Sequence, residues 1–163
     1  MRTPWRMLSA PDDRGQSLVE FALVLPIFLL VITGLFDLAR AVWQENTLAF
    51  AAREGTRYAI VHGSAGNPVA WTGSDATDTC SNASPNLSCQ AVFDTVTGAA
   101  IGVANVAVTV TWPDTTAGTV CYDRNCRVTV DATAPFVPMP SEWLLGGVFR
   151  VTLRGGSQLY IQR

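Results

Sequence analysis

The sequence predicts an α+β protein in which a long N-terminal helix, able to span a membrane, packs on a small antiparallel β-sheet domain with two disulfides. Three observations predict this class. An uncharged apolar run covers 21–36, apolar and polar residues alternate over 106–112 and 126–132, and all four cysteines follow the apolar run. Because a run of this length suits a bilayer and a two-residue period suits a half-buried strand, the two parts of the chain differ in kind.

The composition excludes several classes of protein. A chain of 163 residues holds one ordinary domain and at most one further element. Its formal net charge of −2 offers no basic surface for nucleic acid. With His62 as its single histidine and no phosphate-binding, dinucleotide-binding or metalloprotease motif, the sequence predicts no metal site, no cofactor, no small-molecule substrate and no enzymatic activity.

The four cysteines are Cys80, Cys89, Cys121 and Cys126, and none has the C-x-x-C spacing of a zinc or redox site. An even number confined to one part of the chain predicts two disulfides in an oxidising compartment. Three pairings are possible, and the sequence alone does not choose between them. We favour Cys80–Cys89 with Cys121–Cys126, since the residues between the second pair fit a hairpin loop. Four free thiols are the alternative.

A carboxylate interrupts the start of the apolar segment. Residues 16–36 form about 30 Å of helix, which matches the hydrocarbon thickness of a bilayer. Glu20 is costly inside this segment, and the segment contains no cation beside it. Cleavage between Gly15 and Gln16 would create one, because the new α-amino group would lie one helical turn from Glu20. The same pairing between neighbouring subunits would fix their axial register.

These residues resemble a known family. Gly15, four further residues, then Glu20 and Phe21 at the start of a long apolar helix are typical of type IV prepilins and pseudopilins. The longer stretches 14–26 and 51–59 resemble the TadE-like branch, whose members are minor pilins of the tight-adherence pilus system. The resemblance implies that a prepilin peptidase removes residues 1–15, that Glu20 sets the register, and that Phe21 is its aromatic neighbour.

The resemblance also implies partners and a location. The protein would be a minor pilin or pseudopilin that takes part in assembling a Tad-type adhesive pilus. Its partners would be the prepilin peptidase, other pilins and pseudopilins, the assembly platform of the inner membrane, and the lipid bilayer. It would cross the inner membrane once, with its C-terminal domain outside the cytoplasm, and would enter a surface pilus on assembly.

Three other interpretations remain open from the sequence. The helix could be a plain membrane anchor that is never cleaved. It could also belong to a secretory signal peptide, because the A-x-A pattern at 39–41 would leave Val42 as the mature N-terminus. Finally, the protein could be a membrane-anchored or secreted binding module that uses the segment 63–90 and has no connection with a pilus.

The long helix is predicted over 16–62, with its membrane-spanning part at about 16–36. Beyond the span, apolar residues recur at three- and four-residue steps and predict a stripe that packs on the domain. This stripe consists of Leu35, Leu38, Val42, Ala49 and Ala52.

The extracytoplasmic domain is predicted over 63–163. Its first part, 63–90, is rich in Gly, Ser, Asn, Asp, Thr and Pro and predicts a long loop. A short amphipathic helix is predicted at 90–103, followed by an antiparallel sheet of three to five strands. The predicted strands are 106–112, 119–122, 126–132, 149–153 and 158–162.

Overall fold

The computed structural model describes residues 13–63, 71, 75–139, 142 and 146–162. Two helices and six strands follow one another in these parts of the chain. They are α1 (Asp13–Val61), β1 (Thr77–Cys80), α2 (Leu87–Ala99), β2 (Ala107–Thr111), β3 (Thr115–Thr116), β4 (Thr119–Val120), β5 (Arg127–Phe136) and β6 (Val151–Tyr160).

Helix α1 dominates the molecule. It contains 49 residues, which corresponds to about 73 Å of α-helix. It begins at Asp13, three residues before the predicted start at 16. The bond between Gly15 and Gln16 therefore lies within the helix. Residues 1–12 of the predicted leader lie outside the described residues.

The predicted antiparallel sheet is confirmed, with four strands in the order β1-β2-β5-β6. Strand β6 is continuous where two separate strands were predicted on either side of Gly155 and Gly156. The reason is a close approach, because a Cβ atom added at Gly155 would meet the backbone of Leu48 and Ala49 in α1. Glycine at this position serves helix–sheet contact and not a turn.

The segment predicted as a strand at 119–122 is placed differently. Its residues Thr119 and Val120 pair with β3 in a separate two-stranded hairpin and do not enter the main sheet. The connecting residues Ala117 and Gly118 have φ values of 54° and 83°. Two consecutive positive φ values are those of a tight two-residue hairpin turn, which pairs the strands on either side of it.

The segment 63–90 also differs from its prediction as a loop. Strand β1 occupies Thr77–Cys80 and pairs with β2, and α2 begins at Leu87 instead of residue 90. The side chain of Asn86 caps α2 by accepting from the backbone N–H of Ser88 at 3.0 Å. A polar edge strand lacks the apolar alternation from which strands are recognised, so β1 leaves little signal in the sequence. Residues 64–70 and 72–74 lie outside the described residues.

Both favoured disulfides are confirmed. Cys80 pairs with Cys89, at a Cα–Cα distance of 5.1 Å, and joins β1 to α2. Cys121 pairs with Cys126, at 6.0 Å, and closes the turn that precedes β5. The core between α1, α2 and the sheet is apolar, and its largest fully buried side chains are Trp112, Leu48, Ile161, Val92, Val96, Val108, Val110, Val128 and Val130.

Candidate assembly interface on the N-terminal helix

The first half of α1 lies outside the folded domain. Nearly every side chain over 15–36 is exposed, including Leu23 and Phe28. Among the described residues, α1 is the helix that is long and apolar enough to cross a membrane, and none of its most apolar window is buried. Since 15–36 corresponds to about 33 Å of helix, this half alone can cross the hydrocarbon core of a bilayer.

The predicted processing and register residues lie together at the start of this exposed half. Gly15, Gln16, Glu20 and Phe21 are all exposed, and the Phe21 side chain is 65% accessible. Gln16 and Glu20 are four residues apart and therefore share one side of the helix. Glu20 forms no ion pair with any side chain that the structure describes. A cation brought to this position would thus meet an unpaired carboxylate.

The second half of α1 packs on the domain through a strip of mostly small residues. Ala51, Ala52 and Ala59 are fully buried there together with Leu48. A Cβ atom added at Gly55 would collide with the side chain of Val96 in α2. Small side chains let the helix lie close to the sheet and to α2, and this close packing selects the strip that faces the domain.

The predicted packing stripe of α1 is wrong for most of its members. Leu35, Leu38 and Val42 are 63%, 62% and 51% exposed, Ala49 is half-buried, and only Ala52 is buried. Apolar residues occur on more than one side of this helix, so their spacing alone could not identify the side that faces the domain.

Exposed apolar residues at the end of 15–36 and in the outer half of α1, Asp37 to Val61, form a second strip. We call Leu35, Leu38, Val42 and Phe50 the outward strip, since all four are more than half exposed. Phe50 lies 14 residues beyond Phe36, which corresponds to about 21 Å along the helix axis. The outward strip therefore continues well past the length that a bilayer covers.

Polar contacts fix the domain at two heights along α1. Near the end of the apolar run, the buried carboxylate of Asp37 accepts a hydrogen bond from the backbone N–H of Met139 at 2.8 Å. Nearer the C-terminal end of α1, the buried hydroxyl of Thr56 lies within hydrogen-bonding distance of the carbonyls of Ala52, at 2.7 Å, and Ser157, at 3.3 Å. Sequence reasoning missed both residues. An aspartate directly after an apolar run carries no signal of a partner 102 residues away.

Asp78 in β1, at the end of the domain away from the exposed half of α1, is the described carboxyl group whose pKa is raised. Burial raises the pKa of Asp78, and the neighbouring charge of Asp75 adds to the effect. Trp71, Trp112 and Tyr122 pack edge to face beside this end of the core, with ring centroids 5.0–5.1 Å apart. In the described part of the chain no three His, Cys, Asp or Glu side chains are grouped so that they could hold a metal ion.

An exposed apolar N-terminal helix, long enough to cross a membrane, continues here into a disulfide-closed α+β domain, which is a pilin-like architecture. Residues 15–57 match the family model described as TadE-like protein. Over this segment the chain is similar to the TadE-like proteins of Tad pilus systems. No curated protein and no solved structure matches the chain.

Proposed function

We propose that this protein is a minor pilin or pseudopilin that takes part in assembling a Tad-type adhesive pilus. A prepilin peptidase removes residues 1–15 by cutting between Gly15 and Gln16. The mature helix then anchors the protein in the inner membrane, with the domain outside the cytoplasm. On assembly, the helix leaves the lipid and packs among the helices of other pilins at the assembly platform.

The outward strip is the observation that carries this proposal. A simple anchor needs about 30 Å of apolar helix, which 15–36 already provides. Leu38, Val42 and Phe50 lie beyond that length, are more than half exposed, and face away from the domain. Burial of apolar surface is favourable by about 25 cal/mol per Å², so these side chains are stabilised by a second protein surface. Helices of neighbouring pilins provide such a surface along the whole length of α1.

Glu20 supports the same assembly. Its carboxylate is exposed within the apolar half of α1 and has no ion-pair partner among the described side chains. In lipid, an unpaired carboxylate near the helix centre costs about 2.5–3.5 kcal/mol on insertion scales, and less near the interface. The α-amino group of a processed neighbour neutralises this charge and at the same time sets the axial position of one subunit against the next.

The experiment is fractionation of cells into membranes and sheared surface filaments, with the protein measured in both. Glu20→Ala should leave the amount in the membrane unchanged and lower the amount in filaments about tenfold or more, because the loss of one ion pair worth about 1.4 kcal/mol already changes an equilibrium tenfold. Glu45→Ala is the matched control, since Glu45 is exposed on the outer half of the same helix. Equal incorporation of both variants would remove the role assigned to Glu20.

The outward strip is tested in the same assay. Phe50→Asp should fold normally, because the side chain is 53% exposed, and should be lost from filaments, because it places a charge in the helix-packing surface. Leu87→Asp is the control, since Leu87 is 60% exposed at the start of α2, away from the strip. Normal incorporation of Phe50→Asp would show that this face of α1 is not an assembly surface. A protein that is absent from filaments even without substitution would instead favour the membrane-anchored binding module.

A further inference from the structure

The connection between β5 and β6 lies beside the end of the membrane-spanning part of α1. Phe136 and Val151 form the last pair of the β5–β6 ladder. Directly beyond this pair, the backbone N–H of Met139 donates to Asp37, the residue that follows the apolar run. One turn further along α1, the guanidinium of Arg40 lies 5.1 Å from the centre of the Phe136 ring. These contacts place the end of this hairpin level with the point where α1 leaves the hydrocarbon core.

This end of the hairpin is apolar and exposed. Met139, Val148, Phe149 and Val151 are 51%, 75%, 62% and 53% accessible, and we call these four residues the hairpin end. Met139, Val148 and Phe149 lie outside the strands and Val151 is the first residue of β6, so the alternation of β5 and β6 does not bury them. Exposed apolar residues that cluster at one end of a domain mark a contact with a membrane or with another protein.

The charges around the hairpin end suit a membrane interface. Arg40, over the Phe136 ring, and Arg150, next to Phe149 in the chain, are both exposed, and the Nε–H of Arg150 donates to the carbonyl of Gly147 at 3.4 Å. Glu142 is the exposed acid described within the connection, while Asp37 is buried under Met139. Arginines next to apolar side chains can keep their guanidinium groups among lipid headgroups while their stems lie along the apolar surface.

We propose that the hairpin end is a second membrane contact, resting in the headgroup layer of the bilayer beside α1. The partner is the lipid surface, because the hairpin end adjoins the spanning segment at the height where lipid must surround that segment. The contact orients the domain on the membrane before assembly, and the domain gives it up when the subunit enters a filament. The proposal rests on the membrane-spanning role of α1 given in the proposed function.

The test uses the full chain in vesicles of phosphatidylethanolamine and phosphatidylglycerol, with a nitroxide spin label at one new cysteine and both disulfides intact. Val148→Cys reports on the hairpin end, and Leu29→Cys reports on the middle of the span. Val61→Cys is the matched control, since Val61 is 45% exposed at the last residue of α1, about 36 Å along the axis from Asp37. Relaxation by oxygen, which enters lipid, is compared with relaxation by a nickel chelate, which stays in water.

The ratio of oxygen to nickel accessibility at position 148 should lie between the ratios at 29 and 61, and several-fold above the ratio at 61. If 29 reports lipid while 148 matches 61, the helix spans the membrane and the hairpin end does not touch it, so this inference alone fails. If 29 is open to the nickel chelate, the proposed function fails with it. Shielding of 148 that vanishes when the protein is diluted in lipid would assign the hairpin end to a second copy of the chain and overturn the lipid contact.

Discussion

The two halves of α1 have similar lengths and very different surroundings. Over 15–36 nearly every side chain is exposed, whereas from Asp37 to Val61 one strip is buried against the sheet and α2. The first half contains the large apolar side chains of a membrane span, and the second contains the small residues Ala51, Ala52 and Gly55 where it meets the domain.

One continuous helix is thus stabilised in two ways, by its own domain in one half and by the membrane or other subunits in the other. Its outer half depends on close packing with its own domain, so a change of a single methyl group should affect folding. In its inner half, 15–36, nearly every side chain is exposed among the described residues, so substitutions there should affect insertion and assembly and leave the domain intact. The outward strip should also affect assembly and not folding, although all of it except Leu35 lies on the packed half.

The largest expected effect on folding concerns Gly155. An added Cβ atom would meet the backbone of Leu48 and Ala49, which cannot rotate away, so Gly155→Ala must separate β6 from α1. We expect a loss of about 2–3 kcal/mol in the free energy of unfolding, typical of an overpacked core. Urea unfolding of the detergent-solubilised protein, followed by near-ultraviolet circular dichroism, measures it. Gly34→Ala is the control in the inner half, where nothing lies within 4 Å of the added atom; equal losses would contradict the difference between the halves.

The next effect concerns the disulfide that joins β1 to α2. Replacing Cys80 and Cys89 together by alanine should lower the free energy of unfolding by about 2–3 kcal/mol, because a closed loop of this length restricts the unfolded chain. The disulfide between Cys121 and Cys126 closes a shorter loop, so replacing both of these cysteines by alanine should lower the free energy of unfolding slightly less. Membrane insertion should be unchanged in both variants. Loss of insertion would show that the inner half of α1 depends on the domain.

The smallest effect is a pH dependence at the far end of the domain. Because burial raises the pKa of Asp78 above 3.8, the folded state holds this proton more tightly than the unfolded state. The contribution of Asp78 to stability is therefore greatest below 3.8 and is lost as the pH rises through the folded-state value.

Asp78→Asn should thus raise the stability at pH 7 by less than about 1 kcal/mol, because Asp78 is only partly buried and solvent screens its charge, and should change little near pH 3. Asp114→Asn is the opposite case, because its hydrogen bonds with the side chain and backbone of Arg127 lower the pKa of Asp114. Asp114→Asn should therefore be less stable than the unsubstituted protein at pH 7. Thermal unfolding at pH 7 and pH 3 measures both changes in stability. A loss of stability of Asp78→Asn at pH 7 would contradict the expected gain.

Much of the fold could be predicted from local patterns. The two-residue alternation at 106–112 and 126–132 identified β2 and β5, and the short spacing of the cysteines favoured the observed pairing. Strand β1 was not predicted, because its Thr-Asp-Thr-Cys sequence has no apolar alternation. It is defined by its register with β2, in which Asp78 lies opposite Val110, and register is a property of the assembled sheet.

In the candidate site, too, local sequence features could be predicted and surfaces that depend on long-range contacts could not. Gly15 and Glu20 could be predicted as processing and register residues because a motif and a charge in an apolar run are local features of the sequence, and their roles stay predictions. The strip of α1 that faces the domain was not, since several sides of this helix are apolar and the choice depends on where Gly155 and Gly55 permit close contact. The hairpin end was equally hidden, because its position follows from the long-range contact between Asp37 and Met139.

The most direct test of the account is the mass of the N-terminal peptide of the protein purified from its native membranes. The mature chain should begin at Gln16, because the α-amino group released there is the cation that pairs with Glu20 in assembly. A chain that still begins at Met1, or one that begins at Val42, would contradict it.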